Sequence, residues 1–157
     1  MTEKRKRLAL IASKGTLDMA YPPLILATSA VAMDMEAGIF FTMYGLNIID
    51  KRRYETLAVA PLANPALPVQ MPNMIGVLPG MGPLATKMMK SWFDRANVPS
   101  IPEFLQMALD GDVRLIGCKM TMDVMGVAED DLIDGVEIGG SATYLDYAMD
   151  ADIQLFV

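Results

Sequence analysis

Cys118 is the only cysteine among the 157 residues of the chain. A thiol reacts as its thiolate, so its reactivity depends on whatever lowers its pKa: a cation, nearby amides or a helix N-terminus. The stretch Val113-Arg114-Leu115-Ile116-Gly117-Cys118-Lys119-Met120-Thr121-Met122-Asp123-Val124-Met125-Gly126 supplies candidates for each. It begins as a short apolar run of strand type and turns helical at the cysteine. Gly117 is unusual inside a strand and marks its end or a close backbone approach. Lys119 supplies a cation, and Thr121 and Asp123 are candidate caps for a helix starting just past the thiol. Asp123, if close, would oppose the thiolate. In open α/β sheets, ligands and chemistry gather past the carboxyl ends of strands, where free N–H groups of the next helix favour an anion. A thiolate so placed is a nucleophile that needs no general base. The competing reading is structural: free cysteine is among the most buried residue types, and Met120, Met122 and Met125 are as well explained by packing as by a soft wall around sulfur.

Composition removes other chemistries. Histidine is absent, which excludes imidazole-activated nucleophiles and the commonest transition-metal ligand. One cysteine makes neither an intrachain disulfide nor a cysteine zinc site, so no metal or cofactor is expected. A lone thiol suits a reducing, cytoplasmic setting. The net charge is −6, against a nucleic-acid partner. The run Lys4-Arg5-Lys6-Arg7 reads as a solvated arm. The 53% hydrophobic content is high for a single domain and points either to a large core or to apolar surface covered by another subunit, as in a homo-oligomer.

Buried strands and helices must position the thiol. Leu8–Ala12 is an apolar run of the kind buried on both sheet faces. Ser13-Lys14-Gly15-Thr16 ends it, with Thr16 or Asp18 as possible cap for a helix reaching about Met35. Pro22 and Pro23 place the proper start of that helix near Tyr21. Gly38–Gly45 reads as the second strand, completing a right-handed βαβ unit. Thr86–Asn97 reads as a helix. Ser100 and Glu103 form a capping box for another that stops at Gly111. After the cysteine segment come an acidic turn, a strand at Val136–Ile138, a helix from Ala142 to Met149 and a last strand at Asp152–Val157. This order predicts one domain over residues 1–157, a three-layer α/β/α sandwich on a mostly parallel sheet. Gly15, Gly45 and Gly140 fall at turns where a small anion or a partner's tail could approach backbone amides, and Lys119 joins them as a weak binding candidate. Ser13-Lys14-Gly15-Thr16 lacks the spacing of a P-loop, so ATP is not expected.

Thr56–Thr86 carries no charged side chain and holds Pro61, Pro65, Pro68, Pro72, Pro79 and Pro83. Those prolines oppose a straight membrane span. The stretch is expected as an insertion, at about 56–86, packed in an oligomer or lying as a lid over the thiol.

Residues 117–126 resemble the DsrE/DsrF-like superfamily, in particular its soluble DsrE-related branch. Ser13–Thr16, Phe40–Gly45 and the Gly-Gly segment within Asp134–Leu145 carry the same likeness along nearly the whole chain. The resemblance implies a sulfur carrier or sulfurtransferase. Its single cysteine, here Cys118, would take sulfur as a persulfide or thiosulfonate and pass it to a partner such as a TusA-like carrier, with a rhodanese-type protein as donor. It also implies homo- or hetero-oligomers. Transfer calls for an accessible Cys118. Two other readings stand beside it. One is a non-catalytic binding or structural subunit. The other is a thiol redox protein, although Leu115, three residues before Cys118, breaks the Thr-x-x-Cys run a peroxiredoxin would need.

Overall fold

Along the first strand, β1 (Arg7–Ala12), Leu8, Leu10 and Ala12 join one buried cluster while Ala9 and the partly buried Ile11 join another. Both faces of the strand are covered, which is why the run is apolar throughout rather than alternating. The computed structural model describes residues 4–60 and 79–157. In chain order β1 is followed by α1 (Leu17–Ala32), β2 (Glu36–Phe41), a 3-10 turn (Met43–Ile48), α2 (Met81–Arg95) and α3 (Ile101–Asp110). Then come β3 (Arg114–Cys118), α4 (Lys119–Met125), a second 3-10 turn (Glu129–Asp131), β4 (Glu137–Gly139), α5 (Ser141–Ala148) and β5 (Ile153–Phe156).

The strands form one sheet in the order β4-β3-β2-β1-β5, and every pairing among them is parallel. The chain moves from β1 to β4 in one direction, then crosses back to place β5 beside β1. Right-handed crossovers put helices on one face while the chain runs one way and on the other face when it reverses. Accordingly α1 and α3 pack over Leu10, Ile39 and Leu115, while α5 covers Ala9, Phe40 and Ile116 from the opposite side. The result is the expected three-layer α/β/α architecture. Its larger core lies under α1 and α3, and a thinner one under α5. Among the described residues, no helix is long and apolar enough to cross a membrane.

Three elements have bounds that depart clearly from the sequence reading. Helix α1 begins at Leu17 and carries Pro22 and Pro23 in its second turn. Burial of Leu17, Ala20, Tyr21, Pro23 and Leu24 holds the turn in spite of the missing donors. Strand β2 starts at Glu36, pairing with Arg7, and stops at Phe41, because Met43–Ile48 winds into the 3-10 turn. Helix α2 starts at Met81 instead of Thr86. The capping box is present as read: Glu103 Oε2 accepts the Ser100 N–H at 2.7 Å and the Ser100 hydroxyl at 2.6 Å. The uncharged insertion read at about 56–86 falls largely on 61–78, outside the described residues.

Helix α5 is seated by a glycine. A Cβ at Gly38 would lie 2.5 Å from Cε1 of Tyr147, so the Tyr147 ring rests directly on β2. One turn earlier, Tyr144 stacks on Phe40 with ring centroids 5.3 Å apart. These two aromatic contacts fix the layer under which Cys118 lies.

Candidate functional site

Cys118 is the last residue of β3 and the N-cap of α4. Its side chain falls on the α5 face, in the cluster that contains Phe40, Ile116 and Tyr144. Register fixes its neighbours. Cys118 pairs with Gly139 on one side, and Gly117 pairs with Phe41 on the other, so Thr42 arrives beside the cysteine at the carboxyl edge. The accessible thiol expected from sequence is not found: Cys118 is only 4% exposed. Alternation along β3 turns it inward, onto the layer held by Tyr144, while Gly117 faces Ile49, Leu132 and Val136 on the other side.

Burial alone would push this thiol up. Against it act the hydroxyl and backbone amide of Thr121, the Thr42 hydroxyl and the Met120 amide. Together these donors outweigh desolvation and hold the Cys118 pKa below its ordinary value. Thr121 is itself 2% exposed. Its Oγ1 accepts the Met43 N–H at 3.1 Å and lies 3.3 Å from the Thr42 hydroxyl. The side chains of Met43, Tyr44 and Met120, from the two turns that carry these donors, are exposed. The loops next to the buried thiol therefore carry accessible, largely apolar side chains.

The weaker candidates divide. Gly45 and Gly15 are indeed neighbours, but each serves the approach of one loop to another. A Cβ at Gly45 would fall on the Ala12 carbonyl, 2.6 Å from its carbon, and one at Gly15 would fall on the Tyr44 carbonyl, 2.9 Å from its carbon. The loops after β1 and β2 are thus clasped backbone to backbone, which leaves these two glycines occupied with packing. Gly140 follows Cys118's register partner, and a Cβ there would meet nothing within 4 Å. Its N–H donates to Thr143 Oγ1 at 3.3 Å. Lys119 points into an ion pair with Asp123 at 2.6 Å, both side chains well exposed. The cation and the carboxylate that sequence set against each other at Cys118 are spent on one another.

Sequence reading did not single out Thr42 and underrated Thr121, treated only as a cap. A signal exists for both. Thr121 follows the cysteine by three residues, one helical turn on. Thr42 follows a strand whose register with β3 places it beside Cys118. Neither signal can be used before the pairing of β2 with β3 is known.

Comparison with known proteins follows the same line. The family model described as the DsrE/DsrF/DrsH-like family matches residues 4–156. The sulfur carrier protein DsrE2 of Allochromatium vinosum is 40% identical over 160 residues, covering 98% of this chain and 99% of that one. The uncharacterized protein YrkE of Bacillus subtilis is 33% identical over 165 residues and the full length of both. The crystal structure of the ychN protein from E. coli superposes with a TM-score of 0.58 over 98% of this chain and 99% of that one. At 15% identity, that likeness speaks for the fold alone. With the family model matching almost end to end and a 40% identical full-length relative, the chain belongs to the DsrE/DsrF/DrsH-like family.

Proposed function

We propose that the protein is a sulfur carrier in which Cys118 takes up sulfane sulfur as a persulfide and passes it to a thiol on a partner protein. The observation that carries this reading is the place of Cys118, the last residue of β3 and the N-cap of α4 at the carboxyl edge of the sheet, with donors around it that favour its anion. A cysteine used only as filler needs no such donors. The name of the Allochromatium vinosum relative, a sulfur carrier over the same length, supports it from a second direction.

The chemistry balances without a cofactor. The Cys118 thiolate attacks the outer sulfur of a donor persulfide. Its lone pair forms the new S–S bond, the donor's S–S bond breaks, and the donor leaves as a thiolate. In the second step an acceptor thiolate attacks the outer sulfur of the Cys118 persulfide and Cys118 Sγ leaves as the thiolate it was. There is no net oxidation, and the proton on the outer sulfur travels with it or exchanges with water. Burial of Sγ then becomes an asset. The outer sulfur projects about 2 Å further along the S–S bond, so it can be presented to a partner while the inner sulfur stays covered. Attack on the inner sulfur would instead give a mixed disulfide and release hydrosulfide. A TusA-like carrier or rhodanese-type donor presents the kind of thiol this requires, and a reducing compartment such as the cytoplasm keeps the lone thiol available. A thiosulfonate at Cys118 is the alternative loaded form.

Assembly into a homo-oligomer belongs to the same proposal. The edge strand β5 leaves Ile153, Leu155 and Phe156 exposed, the last at 72%, beside an edge that is unpaired among the described residues. The second reading, a non-catalytic subunit with Cys118 as packing, draws on its 4% exposure.

The test separates the two sulfurs. Protein loaded with polysulfide and desalted is treated with a small acceptor thiol, and both products are trapped by alkylation and weighed. The carrier reading expects the acceptor to emerge as a persulfide and Cys118 to return as a free thiol. A Cys118–acceptor mixed disulfide with released hydrosulfide contradicts it.

A further inference from the structure

We infer that the amino end of the sheet holds a binding site for a small zwitterion of the apolar α-amino-acid class, with the Tyr147 hydroxyl as its buried hydrogen-bond donor. The site lies by Arg114, at the end of β3 away from Cys118, and does not depend on the carrier reading.

A cavity of about 400 Å³ opens there, within the size range of small-molecule sites. Val31 and Met35 give it an apolar wall, and Tyr147 lines it from α5. The Tyr147 ring reaches across β2 with its far end. Cε1 and Cζ lie 2.5 Å and 2.8 Å from where a Gly38 Cβ would stand, nearer than Cδ1 at 3.1 Å. The hydroxyl on Cζ is thus carried over the start of β2, into the row of Arg7, Glu36 and Arg114 that register and alternation place on the α5 face. Arg7 and Arg114 flank the ring, 4.6 Å and 5.4 Å from its centroid. Tyr147 is 8% exposed, and among the described residues no group hydrogen-bonds its hydroxyl. Buried polar groups are ordinarily bonded, and leaving one unmade is costly, so this hydroxyl calls for an acceptor. Burial pushes its pKa up to about 12, which keeps the proton on the oxygen at neutral pH.

The charges in the lining select the ligand. Arg5 and Arg114 bring positive charge, and Glu36 and Asp112 bring negative charge. Arg114 spends Nε and Nη2 on Glu137, which leaves the N–H groups of Nη1 to give. Arg5 spends Nε on the Asp34 carbonyl and Nη2 on the Asp34 carboxylate and the Met35 carbonyl, which also leaves Nη1. The Arg5–Asp34 pair is well exposed and so yields at little cost. Glu36 engages Arg7 through Oε2 alone. Asp112 forms no ion pair among the described residues. A ligand with only negative charge would meet Glu36 and Asp112, and one with only positive charge would meet the guanidinium groups. A zwitterion answers both. Its carboxylate takes the Tyr147 proton and the free N–H groups of Arg5 and Arg114, its ammonium faces Glu36 and Asp112, and an apolar substituent lies on Val31 and Met35.

Calorimetric titration of the full chain tests the inference with three probes: L-leucine, N-acetyl-L-leucine, which lacks the ammonium, and L-leucinamide, which lacks the carboxylate. L-leucine is expected to bind saturably at millimolar concentration or below, and each analogue at least about tenfold more weakly. Tyr147→Phe keeps the ring over Gly38 and removes the hydroxyl alone. It is expected to bind L-leucine about tenfold more weakly and, without ligand, to melt at or above the wild type, since no hydrogen bond is lost. Asp112→Asn, at an exposed position, is expected to weaken L-leucine binding and leave the melting temperature in place. Absence of saturable L-leucine binding overturns the inference, as does an analogue that binds as well as L-leucine. A folded Tyr147→Phe that binds L-leucine like the wild type also overturns it, because solvent then answers the hydroxyl. Should Tyr147→Phe not fold, unchanged L-leucine affinity in folded Asp112→Asn overturns it.

Discussion

Replacing Gly45 with alanine is expected to lower the melting temperature by roughly 6–12 °C, equivalent to about 3 kcal/mol in a chain of this size. The new Cβ would fall on the Ala12 carbonyl, 2.6 Å from its carbon and 3.2 Å from Ser13 N. All three atoms are backbone at the end of a central strand, so no side chain can rotate aside. The Gly45 loop must lift instead, and the Thr42 N–H bond to Ala12 O at 3.0 Å goes with it. That loop also carries the Met43 amide that fixes Thr121, so whatever fraction folds should load sulfur more slowly. Gly140→Ala is the control. Its Cβ meets nothing within 4 Å, its backbone is not left-handed, and the change should stay within about 0.5 kcal/mol of neutral. Thermal melting of the two variants side by side checks the prediction. A Gly45→Ala that melts with the wild type would mean the two loops are not clasped.

Asp50→Ala is expected to cost about 2–3 kcal/mol at neutral pH, through loss of charge-assisted hydrogen bonds at a site with no exposure. Asp50 is 0% exposed. It accepts the Arg52 N–H at 2.9 Å, Arg52 Nε at 3.0 Å and Arg52 Nη2 at 2.8 Å, with Arg53 Nε 3.6 Å away. Arg52 continues to Asp131 at 3.0 Å, and the backbone bridge Asp50–Leu132 ties the same two segments. This knot fastens the chain after β2 to the turn after α4. Arg52 is about half exposed, so deleting the carboxylate leaves no buried charge behind, which keeps the cost at the lower end for a broken buried pair. The pH dependence has a definite sign. Burial pushes the Asp50 carboxyl up, but its bonds to Arg52 and the charge of Arg53 more than compensate, leaving it below its ordinary value. A depressed carboxylate stabilises the fold above the pKa of the unfolded chain, and that stability is lost as pH falls through the folded value. Urea unfolding should therefore show the gap between wild type and Asp50→Ala at its widest near neutrality and closing in acid. A gap that widens on acidification would contradict the assignment.

The two glycines illustrate what could be read without coordinates. Alternation, apolar runs and turn residues located every strand and helix of the described chain, because burial on both sheet faces and helix capping write local patterns. The Ser100–Glu103 box is such a pattern, and so is the strand-to-helix change at Cys118. Misplacement came where tertiary contact overrules local preference: Pro22 and Pro23 inside α1, and the early end of β2 where the chain must turn toward Gly15. For Gly15 and Gly45 the residue type was legible and its reason was not. A glycine that admits an anion and one that admits a neighbouring backbone look alike until the neighbour is placed. The place of Cys118 at a strand-to-helix junction was legible, yet its burial was not, since the face a side chain takes depends on what α5 covers. Thr42 and Thr121 are separated by 79 residues, about half of the chain, and meet only through the parallel pairing of β2 and β3.

The central claim, that Cys118 accepts sulfur, is tested most directly by intact-mass spectrometry. Native protein and Cys118→Ser are exposed in parallel to polysulfide, thiosulfate or tetrathionate and weighed before and after treatment with a reducing thiol. The account predicts added sulfur, or a thiosulfonate, on the wild type alone, removed by the thiol with return of the original mass. No adduct with any donor, together with a thiol slow toward alkylation, or an equal adduct on Cys118→Ser, would contradict it.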